Sequence, residues 1–148
     1  MINMNINKTI IEKTSTNIKW YLFDAKKYKL GRLSTKIAYM LRNKNNANYL
    51  PYQETKINII VINSKEIQIT GKKSEQKIYK RHSGRPGGMK VEIFNKLQQR
   101  LPNRIIEVAI KGMLPKNSLG RKLFKKIKIY PNNIHPYESK KLIEINTN

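Results

Sequence analysis

The chain has 148 residues, enough for one domain, and its 31 Lys plus Arg against 9 Asp plus Glu give a formal charge of +22. Self-repulsion on that scale points to a polyanionic partner, and a hydrophobic fraction of 39% suffices for a packed core. Cys is absent and His82 and His135 are the only histidines, which removes disulfides, thiolate chemistry and an all-His metal cluster; no apolar run nears the ~18 residues of a membrane helix.

Residues 1–19 are polar and Asn-rich, with no continuous apolar stretch and no Arg, so they read as an N-terminal extension and not as a secretory or transit leader. Trp20 to Phe23 is a short aromatic and apolar run suited to a strand, followed by a basic turn from Asp24 to Lys29. Leu30, Leu33, Ile37, Met40 and Leu41 then recur at helical spacing while Arg32 and Lys36 fall on other faces, which predicts an amphipathic helix over 31–43. Ile57 to Ile62 is the β-branched pattern of a central parallel strand covered on both faces, and Ile67 and Ile69 alternate as in a more exposed one.

Residues 70–90 are rich in Gly and basic side chains, so they are expected to be mostly loop with a short strand near Ile78 and Tyr79. Val91, Phe94, Leu97 and Leu101 predict a short helix stopped by Pro102. Ile106, Ala109, Ile110, Met113 and Leu114 form the stripe of another helix, closed by Pro115. Ser118 is the expected N-cap of a further turn or two carrying Leu119 and Leu123, Ile127 and Ile129 alternate as a last strand, and the tail from Pro131 reads as loop. The order of elements predicts an α/β domain around a mostly parallel sheet of about four strands.

The charge is uneven. Residues 61–130 hold 18 bases against 4 acids, a balance of +14, while residues 131–148 sum to zero. One basic stretch contains Lys72, Lys73, Lys77, Lys80, Arg81, Arg85 and Lys90 with Glu75 its single acid; a second, from Lys111 to Tyr130, holds Lys111, Lys116, Arg121, Lys122, Lys125, Lys126 and Lys128 and no acid. Ordinary solvated surfaces mix both signs, so these stretches read as phosphate contacts, against the alternative of a solvated face inflated by codon bias. That bias is visible in 24 Lys against 7 Arg, with 17 Asn and 22 Ile, residues whose codons are A- and T-rich.

The segment Ser83-Gly84-Arg85-Pro86-Gly87-Gly88 is neither a Walker loop nor a dinucleotide fingerprint. Gly84, Gly87 and Gly88 beside Arg85 permit close approach of backbone amides and guanidinium to phosphate oxygens; a plain turn is the alternative. Tyr79 and His82 are candidates to stack on unpaired bases, against simple packing. Catalysis finds little support: Asp24 is the only Asp, no nucleophile-elbow spacing surrounds Ser83, and the basic stretches lack clustered carboxylates for metal-dependent nuclease chemistry.

Four stretches together resemble the large-subunit ribosomal protein family numbered thirteen in bacterial nomenclature. They are Trp20-Tyr21 with Asp24 and Leu30-Gly31-Arg32-Leu33; Thr70-Gly71-Lys72-Lys73; Tyr79-Lys80-Arg81-His82-Ser83-Gly84-Arg85-Pro86-Gly87-Gly88; and Val108 to Lys116 with Leu119-Gly120-Arg121. The match runs from about Trp20 to His135. The resemblance implies a three-layer α/β/α domain over residues 20–136, with a tail over 137–148, that binds large-subunit rRNA, joins the particle early in assembly and lies beside neighbouring large-subunit proteins. It implies no catalysis, cofactor, metal, small-molecule substrate, membrane or self-association. Lys26, Lys27, Lys29, Arg32 and Lys36 join the two basic stretches and the loop as expected RNA contacts. The chain departs from the family pattern at Lys56-Ile57, where Gly-Asp is common, and at His135-Pro136-Tyr137, where His-Pro-His is usual. Plastid-encoded members and the codon bias together make the plastid the expected location, with a mitochondrion or an A+T-rich bacterium as alternatives.

Overall fold

The computed structural model describes residues 18–47 and 49–145; the expected N-terminal extension up to residue 17 lies outside them. The first half is a β-α-β unit. Strand β1 (Lys19–Asp24) leads through a 3-10 turn at Ala25–Lys27 into helix α1 (Leu30–Leu41), and strand β2 (Ile57–Ile62) returns parallel to β1, with Tyr21 opposite Ile59 and Phe23 opposite Val61. Between β2 and its next neighbour in the sheet come a one-turn helix α2 (Lys73–Gln76), strands β3 (Ile78–His82) and β4 (Met89–Ile93), and helices α3 (Phe94–Arg100), α4 (Pro102–Met113) and α5 (Ser118–Lys125). Strands β5 (Ile127–Ile129) and β6 (Leu142–Glu144) complete a four-stranded parallel sheet in the order β5-β2-β1-β6, while β3 and β4 form a separate antiparallel hairpin. The sheet with helices around it is the α/β architecture that the order of elements predicts.

Strand alternation divides the burial. Phe23, Ile57, Ile59, Val61 and Ile127 join α1, α3 and α4 in the main core, whose largest fully buried side chains include Phe94, Leu33, Ile37, Leu41, Ile105, Ile106 and Ile110. Ile60, Ile62 and Leu123 are buried too but lie outside that cluster, as expected for residues of the opposite sheet face. The double burial of β2 explains its unbroken apolar run.

The carboxyl ends of the strands are tied together by polar side chains. Asn63 adopts a left-handed conformation (φ 57°) just past β2, and its Nδ2 donates to Asp24 Oδ1 at 2.9 Å. Ser64 Oγ donates to Asn103 Oδ1 at 2.5 Å, and Asn103 Nδ2 donates to the Ile129 carbonyl at 3.1 Å. The single Asp of the chain is thus a joint between β1 and β2.

Several expectations require correction. The segment with Ile67 and Ile69 follows a 3-10 turn at Ser64–Glu66 and makes one isolated bridge, Lys29 to Gln68, and Ile67 is buried because it packs inward instead of lying on an exposed strand. The loop expected over 70–90 contains most of a hairpin, and Val91 belongs to β4, so α3 starts only at Phe94. In α4, Ile105 takes the buried place expected for Met113, which is exposed; the helix starts at Pro102, tolerated as its first residue, and its apolar stripe begins one residue earlier. Asn117, not Ser118, caps α5, its Oδ1 accepting from the Gly120 amide at 2.8 Å. The tail read as loop supplies β6, three residues and too short to carry a strand signature.

Candidate nucleic-acid interface

The hairpin projects the longest set of expected contacts. Its base is closed by the Phe94 amide donating to the Lys77 carbonyl at 2.9 Å, and its tip by the Ser83 amide donating to the Gly88 carbonyl at 3.1 Å. Inside the tip the Gly88 amide donates to the Arg85 carbonyl at 2.9 Å, and Gly87 has φ 71°. With Pro86 before it, this is a type II turn, which needs Gly at its third position. Gly84 (φ 88°) donates its amide to His82 Nδ1 at 2.9 Å, anchoring that ring to the loop. Gly88 serves the loop itself: a Cβ there would collide with Ser83 Oγ and come within 2.9 Å of the Arg85 carbonyl oxygen.

Register sorts the hairpin into two faces. Ile78 pairs with Ile93, Lys80 with Val91 and His82 with Met89, so four apolar side chains and two basic groups share one exposed face. On the other, Tyr79 pairs with Glu92 and Arg81 with Lys90. Tyr79 turns inward, its ring 6.5 Å from that of Phe94, and its buried hydroxyl has no hydrogen-bond partner; burial pushes its pKa up. It is therefore not displayed for stacking. Lys77 lies over the same ring at 5.4 Å, and Glu92 is held by Arg100 at 2.6 Å. Arg81 and Lys90 remain as two exposed cations set directly across the strands, an arrangement that is unfavourable without an anion between or beside them.

The other expected residues form two further groups. Lys26, Lys29, Arg32 and Lys36 lie on the 3-10 turn and the start of α1, where the first helical turn contains no acid. Lys26 is paired with Glu66 at 2.9 Å, which raises its pKa through that hydrogen bond, and the Lys36 ammonium lies over the Tyr28 ring at 5.7 Å. Lys27 belongs to the same turn. Lys111, Lys116, Arg121, Lys122, Lys125 and Lys128 are exposed along the end of α4, α5 and the edge strand β5. Lys122 reaches Glu54 at 3.9 Å from an exposed position, whereas the Lys126 ammonium is bonded to the Thr55 carbonyl and lies 2.9 Å from Glu54, with the side chain only 20% exposed. Lys126 fastens the segment before β2 to the end of α5, and its hydrogen bond holds the Glu54 carboxyl below the ordinary range. Lys72 and Lys73 sit at the start of α2, which packs on α3 and β4 near the hairpin base.

Sequence reading overlooked the apolar half of the hairpin, because Met89 falls in the stretch expected to be loop and Val91 reads as the start of a helix. Among the described residues no group of three His, Asp or Glu side chains is placed to hold a metal, and no helix is long and apolar enough to cross a membrane.

An α/β core that ties its own polar groups together while displaying cations on a hairpin and two helices defines a scaffold for holding a polyanion. The family model described as ribosomal protein L13 matches residues 18–136, and the chain belongs to that family. It is 58% identical over 134 residues to "Large ribosomal subunit protein uL13c" of Gracilaria tenuistipitata var. liui, covering 90% of this chain and 94% of the relative. Against the protein of the same name from Porphyra purpurea it is 54% identical over 136 residues, covering 92% and 96%. "Large ribosomal subunit protein uL13" of Trichodesmium erythraeum (strain IMS101) is 58% identical over 123 residues, covering 83% of this chain and 82% of the relative.

Proposed function

We infer that this chain is a structural constituent of the large ribosomal subunit that binds its rRNA, in the ribosome of a plastid. Membership of the L13 family supports the first part, and the likeness to the plastid proteins named uL13c supports the second. The family is not one of enzymes, and its members lie among rRNA and other ribosomal proteins. We place the principal RNA contact on the hairpin, with the chain acting as a single copy. The observation that carries this placement is the pair Arg81 and Lys90, set opposite one another at the mouth of a glycine loop whose backbone bonds hold Arg85 at the tip. Two cations in register gain from a phosphate that bridges them, and they position RNA by its backbone. Tyr79 contributes by packing the hairpin onto Phe94.

A salt titration against in-vitro transcribed large-subunit rRNA tests the placement. The parent's log affinity should fall linearly with log salt, and Arg81→Gln with Lys90→Gln should flatten the slope by roughly 0.7–0.9, the value for one bridged phosphate. An unchanged slope would remove the hairpin from the interface. Lys126→Gln, by contrast, should leave the slope nearly as it was.

A further inference from the structure

Two helical glycines have no use inside the fold. Gly31 lies in the first turn of α1 and Gly112 next to the end of α4; both are exposed, neither has a positive φ, and a Cβ built on either meets nothing within 4 Å. Elsewhere the protein shows what an internally required glycine looks like: a Cβ on Gly120 would collide with the Pro115 carbonyl oxygen. Glycine weakens a helix relative to alanine, so Gly31 and Gly112 carry a cost that nothing among the described residues recovers.

Both border one seam. Thr35, a turn after Gly31, donates its hydroxyl to the Gly31 carbonyl at 2.9 Å and lies 3.5 Å from the sulfur of Met113, the residue after Gly112. A shallow open groove runs over the same face of α1, from Gly31 and Arg32 to Tyr39. Basic residues outnumber acids here: residues 25–53 hold seven bases and no acid, Glu66 is paired with Lys26, Glu107 of α4 is paired with Arg104, and Lys111 directly precedes Gly112.

We propose that the α1/α4 seam is a second RNA contact, where a sugar–phosphate strand of large-subunit rRNA lies directly on helix backbone at Gly31 and Gly112 while Arg32, Lys36 and Lys111 meet its phosphates. This rests on the reading that the chain holds large-subunit rRNA. The cations at the groove and beside Gly112, Arg32, Lys36 and Lys111, select RNA over a protein helix, for which bare glycine would also make room.

The test exploits opposite signs. Gly31→Ala with Gly112→Ala should raise the melting temperature of the free protein, since alanine fits both helices without contact, yet weaken binding to in-vitro transcribed large-subunit rRNA by at least about fivefold with the salt slope unchanged. Arg32→Gln should lower both affinity and slope. Parent-like binding of the double alanine variant would overturn the proposal, and so would a lower melting temperature, which would return the glycines to the fold. Unchanged RNA affinity with poor incorporation into large subunits would assign the seam to a neighbouring protein instead. If the parent itself shows no salt-dependent affinity, the underlying reading fails first, and that result is distinguishable from failure at the seam.

Discussion

Strand β2 and the hairpin both carry Ile and Val, but to opposite ends. In β2 five of six residues are buried, with Ile59, Ile60 and Val61 at 0% exposure, because helices and neighbouring strands cover both faces. In the hairpin no strand residue is buried, and Ile78, Met89 and Val91 stay about half exposed. An apolar strand stabilises a fold only where the chain covers it; a two-stranded hairpin with one face open, held to the core through Tyr79 on the other, leaves that open face for a surface from elsewhere. The difference separates what makes the protein fold from what makes it bind.

The largest effect expected from that contrast is on folding. Ile60→Lys places an unpaired charge at the centre of the sheet, a cost of several kcal/mol against a total stability of about 5–15 kcal/mol, and should leave no cooperative melting transition by circular dichroism. Val91→Lys, on the uncovered hairpin, should change stability by less than about 0.5 kcal/mol. Equal damage from both would dissolve the distinction.

Glycines give an intermediate effect. Gly120→Ala forces α5 away from Pro115 and should lower stability by about 1–3 kcal/mol in a denaturant titration. Gly88→Ala should disturb only the hairpin tip, where Ser83 and the Arg85 carbonyl must yield, and leave the global transition in place.

The smallest effect concerns the Glu54–Lys126 fastening beside β2. The folded pKa of Glu54 is depressed below its ordinary value of 4.5, first by the hydrogen bond from Lys126, so its contribution is present above that value and is lost as pH falls through the lower folded one. Glu54 is 44% exposed, so solvent screening limits the contribution to less than about 1 kcal/mol. Melting curves across this acid window should show the parent losing slightly more stability than Glu54→Gln.

The core was legible in sequence wherever one period ran undisturbed. Leu33, Ile37 and Leu41 mark α1, and Ile57 to Ile62 marks β2, because each pattern reflects a single packed environment. The hairpin was legible as charge and glycine but not as structure: Lys80, Arg81 and Lys90 occupy strand positions that no core demands to be apolar, so alternation is lost. Spacing alone also misplaced Met113, since α4 presents Ile105 to the core and only the packed helix decides which neighbour turns inward. Among the expected contacts, sequence could not separate Lys126 from Lys125. Only the fold brings Glu54 and the Thr55 carbonyl to the former.

Strand β6 has a consequence in time. It covers one edge of β1, and beyond it the Ile145 carbonyl accepts the Tyr28 hydroxyl at 2.7 Å across 117 residues of chain. During synthesis at ~5–20 residues per second, β1 is made roughly 6–23 seconds before this closing segment, and once outside the ribosome its open edge is a template for mispairing until the segment arrives. A chain interrupted before Leu142 would keep the edge open permanently, whatever the state of its RNA-binding surfaces.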